Sequence, residues 1–135
     1  MKLNKKFAVI IVLAATATVT AAATFKDAEP VHYTNLKVLP KNISPKELQS
    51  LMVDDFQDAL GVNCSFCHAN NKNGHGLDFA SDAKPEKEIT REMMRMTIGI
   101  NKKYMHVKHP KIGSSVMIIN CNTCHKGQAF PDGTE

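Results

Sequence analysis

Tryptophan is absent, and 135 residues hold only two Tyr and six Phe. A chain so short of large rings has modest apolar material with which to close a core unaided. No basic stripe interleaved with aromatics is present, so nothing points to nucleic acid as a partner. Cysteine is scarce as well. There are four, and none lies outside two short clusters, so no odd thiol is left for intermolecular pairing. Excess charge is nearly missing too. The formal charge is +4, but Lys2, Lys5 and Lys6 sit in an N-terminal leader. Without them, 14 basic residues face 13 acidic ones.

What is present is concentrated in those two clusters, Cys64-Ser65-Phe66-Cys67-His68 and Cys121-Asn122-Thr123-Cys124-His125. Each reads C-x-x-C-H, the attachment pattern for a c-type haem. Two thiols three positions apart on a helical turn can each form a thioether to one vinyl group of a single haem. The residue that follows then places an imidazole under the iron. The cofactor-binding set is therefore Cys64, Cys67, His68, Cys121, Cys124 and His125, for two covalently bound haems c. A zinc ribbon is the first competing assignment. Its knuckles usually stand about 15–20 residues apart, whereas 53 residues separate Cys67 from Cys121. A thioredoxin-like dithiol would need a βαβ setting that the chain does not offer. A disulfide framework would leave both histidines unexplained.

The leader has a basic start, an apolar run from Phe7 to Leu13 and small residues up to Ala23. That is the pattern of an export signal over 1–23, cleaved after Ala23 or retained as a membrane anchor. Residues 24–135 would then form one dihaem domain, periplasmic or otherwise exported. Thioether attachment in bacteria also takes place outside the cytoplasm.

Along the chain, residues 25–43 read as extended, with Leu36, Val38 and Leu39 as a short apolar anchor. Ser44-Pro45-Lys46-Glu47 is a helix start, with Ser44 as cap, Pro45 in the first turn and Glu47 completing a capping box. The helix is expected over 45–60, stopped by Gly61. Its apolar residues are Leu48, Leu51, Met52, Phe56, Ala59 and Leu60. After the first motif comes a polar, glycine-rich loop over 70–76. A second helix is expected over 84–104, capped by Ser81 or Asp82. Its inward stripe reads Ile89, Met93, Met96, Ile100 and Tyr104, with Met94 and Ile98 on another face. Each motif follows a helix carrying methionine, and the lead-ins match, Val62-Asn63 against Ile119-Asn120. The fold class is mainly α, built from two helix-then-C-x-x-C-H units.

The far side of each iron decides between electron transfer and binding of a gas or peroxide. Met52 is the candidate for the first haem, with ordinary core filling as its alternative. For the second, Met93 and Met96 lie one turn apart and spacing does not separate them. His32, His75, His106 and His109 are rivals. Lys102, Lys103, Lys108 and Lys111 offer a docking patch for an acidic partner.

The segments Leu36–Leu39, the Met52 helix, Phe79-Ala80-Ser81-Asp82, Arg91–Met96, Ile100-Asn101 and Lys126-Gly127, together with both motifs, resemble the cytochrome c subunit of photosynthetic reaction centres and its small non-photosynthetic relatives. In that family a methionine comes from the helix before each such motif, so the resemblance implies metal ligation by His68 with Met52 and by His125 with Met93. That subunit carries four haems, so this chain resembles one half. His106 stands near a histidine that, in the family, serves a haem of the other half. The expectation is an electron carrier, not an enzyme, working between redox protein partners and open to association with a membrane complex. The competing function is a small haem peroxidase or gas-binding protein with one open iron face.

Overall fold

The computed structural model describes residues 31–131, which fall within one unit of the chain. The leader over 1–23 and the end of the C-terminal tail lie outside the described residues. The elements, in order, are α1 (Pro45–Ser50), a π-helical segment (Leu51–Gln57), α2 (Asp58–Leu60) and α3 (Cys64–Cys67). Strands β1 (Ala69–Asn70) and β2 (Leu77–Asp78) follow, then α4 (Pro85–Lys103) and α5 (Cys121–His125). The chain is mainly helical. The two strands form one antiparallel ladder, Ala69 opposite Asp78 and Asn70 opposite Leu77. Among the described residues no helix is long and apolar enough to cross a membrane.

The first helix starts where its sequence says it should. The Ser44 Oγ accepts the Glu47 backbone N–H at 3.2 Å, and Pro45 occupies the first turn. The other half of the expected capping box does not form, because the Glu47 carboxylate pairs with Lys111 instead. The helix continues without a break through its π-helical stretch to Gly61, which ends it at φ 65°. An i→i+5 ladder places Leu51 and Phe56 one turn apart on one face, and both are buried. Met52 lies in this stretch, half-buried against the core.

That core joins Leu51 and Phe56 to Leu39 and Ile43 from the extended N-terminal segment, Met94 from α4 and Ile112 from the following loop. Leu36 and Val38 pack at its edge, as the apolar anchor required. Only seven hydrophobic side chains are buried among the described residues, so large apolar faces elsewhere stay uncovered.

Helix α4 packs on a different face from the expected one. Its packed face is Arg91, Met94, Thr97 and Asn101, with Ile98 beside them. Of the expected inward residues, Ile89, Met93, Met96 and Tyr104 are exposed, Met93 at 43% and Met96 at 51%, and Ile100 is half-buried. The reason is polar satisfaction. The Asn101 side chain is fully buried and makes four hydrogen bonds. It donates to Thr97 O and Ile119 O, and accepts from the backbone N–H groups of Ile118 and Ile119. The buried Arg91 guanidinium reaches Asp82, Glu88 and the Asn35 carbonyl. Because all three polar residues find partners there, burying them leaves no unpaired group on the inner face.

The N-cap of α4 is Lys84, without a side-chain bond, so neither Ser81 nor Asp82 caps it. Asp82 is drawn away into ion pairs with Lys37, Lys87 and Arg91.

Candidate functional site

Gly61 sits at φ 65°, and a Cβ there would fall 2.1 Å from the Gly127 carbonyl oxygen. Glycine is therefore required twice over, by the left-handed turn and by the close approach. This turn delivers the chain into α3. Asn63 precedes it without capping it, since the Asn63 Oδ1 accepts the Ser65 hydroxyl at 2.6 Å. Instead, α3 is gripped from α4 and the turn before it. Lys84 Nζ donates to Ser65 O at 2.6 Å, and the Cys67 Sγ lies 3.8 Å from the Thr90 hydroxyl. Burial pushes the Cys67 thiol pKa up.

His68 follows in extended conformation, at φ −108° and ψ 128°. The β1–β2 ladder folds the chain back so that the Phe79 ring meets the His68 ring edge-on, centroids 5.0 Å apart. The loop between the strands carries His75, which is exposed. Burial lowers the imidazole pKa of His68, the positive charge of Lys87 adds to that, and the Phe79 backbone opposes it. The His68 Nδ1 is buried without a hydrogen-bond partner.

The second motif is built by different means. Asn120 forms a reciprocal box with Thr123. Its Oδ1 accepts the Thr123 N–H, and its own N–H donates to the Thr123 hydroxyl, both at 3.1 Å. The helix ends on Lys126 in the left-handed region at φ 51°. The His125 Nδ1 lies 2.9 Å from the Gln128 carbonyl oxygen. Because a carbonyl only accepts, the proton sits on Nδ1 and the lone pair is left on Nε2. Cys121 packs at the core edge, where burial and then Asp55 raise its thiol pKa.

The two motifs are cross-braced. The Gly127 N–H after the second motif donates to Ala59 O of the first helix at 2.9 Å. Asp54, Asp55, Asp58 and Ala59 of that helix share a cleft with Asn120, Cys121 and Asn122. The first motif abuts α4 instead, and its Phe66 meets Phe130 edge-on at 6.4 Å. Each C-x-x-C-H turn thus rests on the helix from the other half of the chain. Spacing gave no sign of this arrangement.

No disulfide joins the four cysteines, and Cys64 and Cys124 are exposed, Cys67 and Cys121 half-buried. Among the described residues no three His, Cys, Asp or Glu side chains converge to hold a metal ion, so the knuckles do not form a tetrathiolate site. The residues fit haem better. Two thiols per turn remain available, the His125 tautomer is the one a ligand needs, and apolar side chains stand uncovered. Met52 is half-buried, Met93 and Met96 are exposed, and His32, His106 and His109 are exposed. Among the docking lysines, Lys111 is engaged by Glu47, and the Lys103 ammonium lies over the Tyr104 ring at 4.9 Å. The role of Asn101 escaped sequence reasoning, although Ile100-Asn101 is among the residues that carry the family resemblance.

A mainly helical chain with two such turns falls in the class of c-type haem proteins. The model for the photosynthetic reaction centre cytochrome c subunit family matches residues 14–134, and the chain belongs to that family. It is 35% identical over 83 residues to a photosynthetic reaction center cytochrome c subunit of Rubrivivax gelatinosus, covering 56% of this chain and 22% of that one. It is 32% identical over 91 residues to cytochrome c-554 of Chloroflexus aurantiacus, covering 67% of this chain and 20% of that one. The chain therefore spans about a fifth of the length of these curated relatives. No solved structure matches. Membership in a cytochrome c family implies covalently bound haem c as cofactor.

Proposed function

We propose that residues 24–135 form a dihaem cytochrome c, exported by the 1–23 leader, that passes single electrons between redox protein partners outside the cytoplasm. Cys64 and Cys67 would tether the first haem, with His68 and Met52 as the residues that would hold its iron. Cys121 and Cys124 would tether the second, with His125 and Met93 holding its iron. When bound, haem supplies an iron that alternates between two oxidation states. The protein's part is to hold the ligands still and keep water away.

The observation that carries this reading is the outer face of α4. Ile89, Met93, Met96 and Tyr104 are exposed on a helix whose other face is packed and hydrogen-bonded. A contiguous apolar face left uncovered marks a surface meant for another group. A flat macrocycle attached at a neighbouring C-x-x-C-H turn is of the right shape and polarity to cover it. The Asn71–Gly76 loop and the basic segment after α4 remain on the outside, where partners can reach them.

The test is the ferric spectrum of the purified holoprotein beside Met52→Ala and Met93→Ala. Loss of the sulfur-to-iron band in two steps, one per substitution, is the expected result. Retention of the band in the Met93 variant transfers the role to Met96. A high-spin ferric signal in the unaltered protein, or carbon monoxide binding to its reduced form, replaces the carrier with the peroxidase or gas-binding function.

A further inference from the structure

We propose that the C-terminal end of α4, with Lys102, Lys103 and Lys108, is a docking surface for an acidic redox protein, and that electrons exchanged there pass by way of the second C-x-x-C-H turn. The inference deepens the electron-carrier reading and rests on it.

Between Glu92 and Asp132 the chain holds no acidic residue. Of the cations in that stretch, Arg95 pairs with Glu88 and Glu92, and Lys111 pairs with Glu47. Lys102, Lys103, Lys108 and Lys126 have no carboxylate partner among the described residues, and all four are exposed. The Lys103 ammonium lies over the neighbouring Tyr104 ring, which leaves its charge uncompensated.

Asn101 draws three of these lysines together. Its backbone oxygen accepts the Val107 N–H at 3.0 Å, so the segment carrying Lys108 folds back onto the helix end where Lys102 and Lys103 sit. Its side chain holds Ile118 and Ile119 at the same end. Only Asn120 separates Ile119 from Cys121, a chain span of at most about 7 Å. The second motif therefore adjoins the patch. The first motif touches α4 at Thr90, about 18 Å along the helix axis from Lys102. Exposed Val116 and Ile118 set apolar surface beside the charges. Apolar contact with a charged rim suits a small, transient interface. The carboxylates near this motif, Asp54, Asp55 and Asp58, line the cleft with Asn120, Cys121 and Asn122, and none of them pairs with these lysines.

Unpaired surface cations speed the encounter with an acidic protein while adding little to the lifetime of the complex. A carrier that must release its partner needs that combination. An anionic bilayer is gripped by about four to eight clustered cations, and this cluster is smaller. In the exchange one electron crosses between the partner's cofactor and the second haem. One is oxidised as the other is reduced, with no bond or proton changed.

The test follows reduction of the ferric holoprotein, after intact mass has given the haem count, by photoreduced flavodoxin, which is acidic, and by photoreduced lumiflavin, which is neutral. The flavodoxin rate should fall steeply as salt rises from about 0.01 M to about 0.15 M, and the lumiflavin rate should not. Lys102→Gln, Lys103→Gln and Lys108→Gln together should lower the low-salt flavodoxin rate about tenfold and leave the lumiflavin rate unchanged. Arginine at the same three positions should restore it. Removing equal charge elsewhere, by Lys41→Gln, Lys46→Gln and Lys72→Gln, should matter much less. Oxidised flavodoxin added to the ferrous protein should shift amide resonances over 102–109 and 116–119. Equal losses in the two triple variants, a flavodoxin rate indifferent to salt, or amide shifts confined to other segments overturns the docking site while the dihaem reading stands. Binding to phosphatidylglycerol vesicles that the first triple variant abolishes overturns the choice of a protein partner. A mass with fewer than two haems, or no reduction by lumiflavin, overturns the carrier reading itself.

Discussion

The two C-x-x-C-H turns have the same chemistry and nearly the same lead-in, yet the fold secures them differently. The second is self-capped, through the Asn120–Thr123 box, and is delivered by a backbone segment that Asn101 grips at both Ile118 and Ile119. The first has no side-chain cap. It is held from outside, by Lys84 on Ser65 O and by the packing of Cys67 against Thr90. One turn is thus capped by residues next to it in sequence, with α4 holding only its lead-in through Asn101. The other has no cap of its own and depends on α4 and the turn before it, which follow it in the chain and reach it only in the folded state. The difference shows that a motif's spacing secures its chemistry, while its rigidity is supplied by whatever packs against it.

The largest expected effect comes from severing the contact that ties the two halves together. Gly61→Ala should destabilise the protein by about 3 kcal/mol or more, since it combines a left-handed backbone with a clash against Gly127 O. Urea unfolding of the holoprotein would measure it. A loss under about 1 kcal/mol would mean that the halves separate at little cost.

Next is Asn101→Ala, which strips two backbone N–H groups of their acceptor beside the second motif. About 2–4 kcal/mol is expected. Amide exchange should rise at Ile118 and Ile119 and stay unchanged in the β1–β2 ladder. Equal loss of protection in both regions would erase the contrast between the motifs.

A smaller effect sharpens the same contrast. Asn120→Ala should cost about 1 kcal/mol through loss of its cap. Asn63→Ala, at the matching place, should fall within about 0.5 kcal/mol of the parent because it caps nothing. Equal costs would mean the first turn is capped in solution.

The smallest effect is confined to acid. Hydrogen bonding from Lys37, Asn35 and Arg91 holds the Asp82 carboxyl well below the usual carboxylate range. Its contribution is therefore fully present above the unfolded carboxylate pKa of about 3.9 and is lost as pH falls towards the folded value. Asp82→Asn should flatten the acid limb of the stability profile and lower stability slightly at pH 7. Because Asp82 and Lys37 are exposed, that neutral-pH loss should be modest. An unchanged acid limb would remove Asp82 from the account.

Much of this protein was determined by adjacent residues alone. The Ser44–Pro45 start, the Gly61 stop, the extended anchor and the two C-x-x-C-H turns are each local patterns, because caps, turns and thioether spacing depend on a few consecutive residues. The rotation of α4 was not legible, since apolar periodicity cannot tell a stripe that meets protein from one left for another surface. Nor could it foresee that Arg91, Thr97 and Asn101 would each find hydrogen-bond partners on the packed face. Only the tertiary structure decided which helix braces which motif, and with it which charges surround each turn. Those contacts join residues from opposite halves of the chain, and nothing in their separation along it announces that they meet.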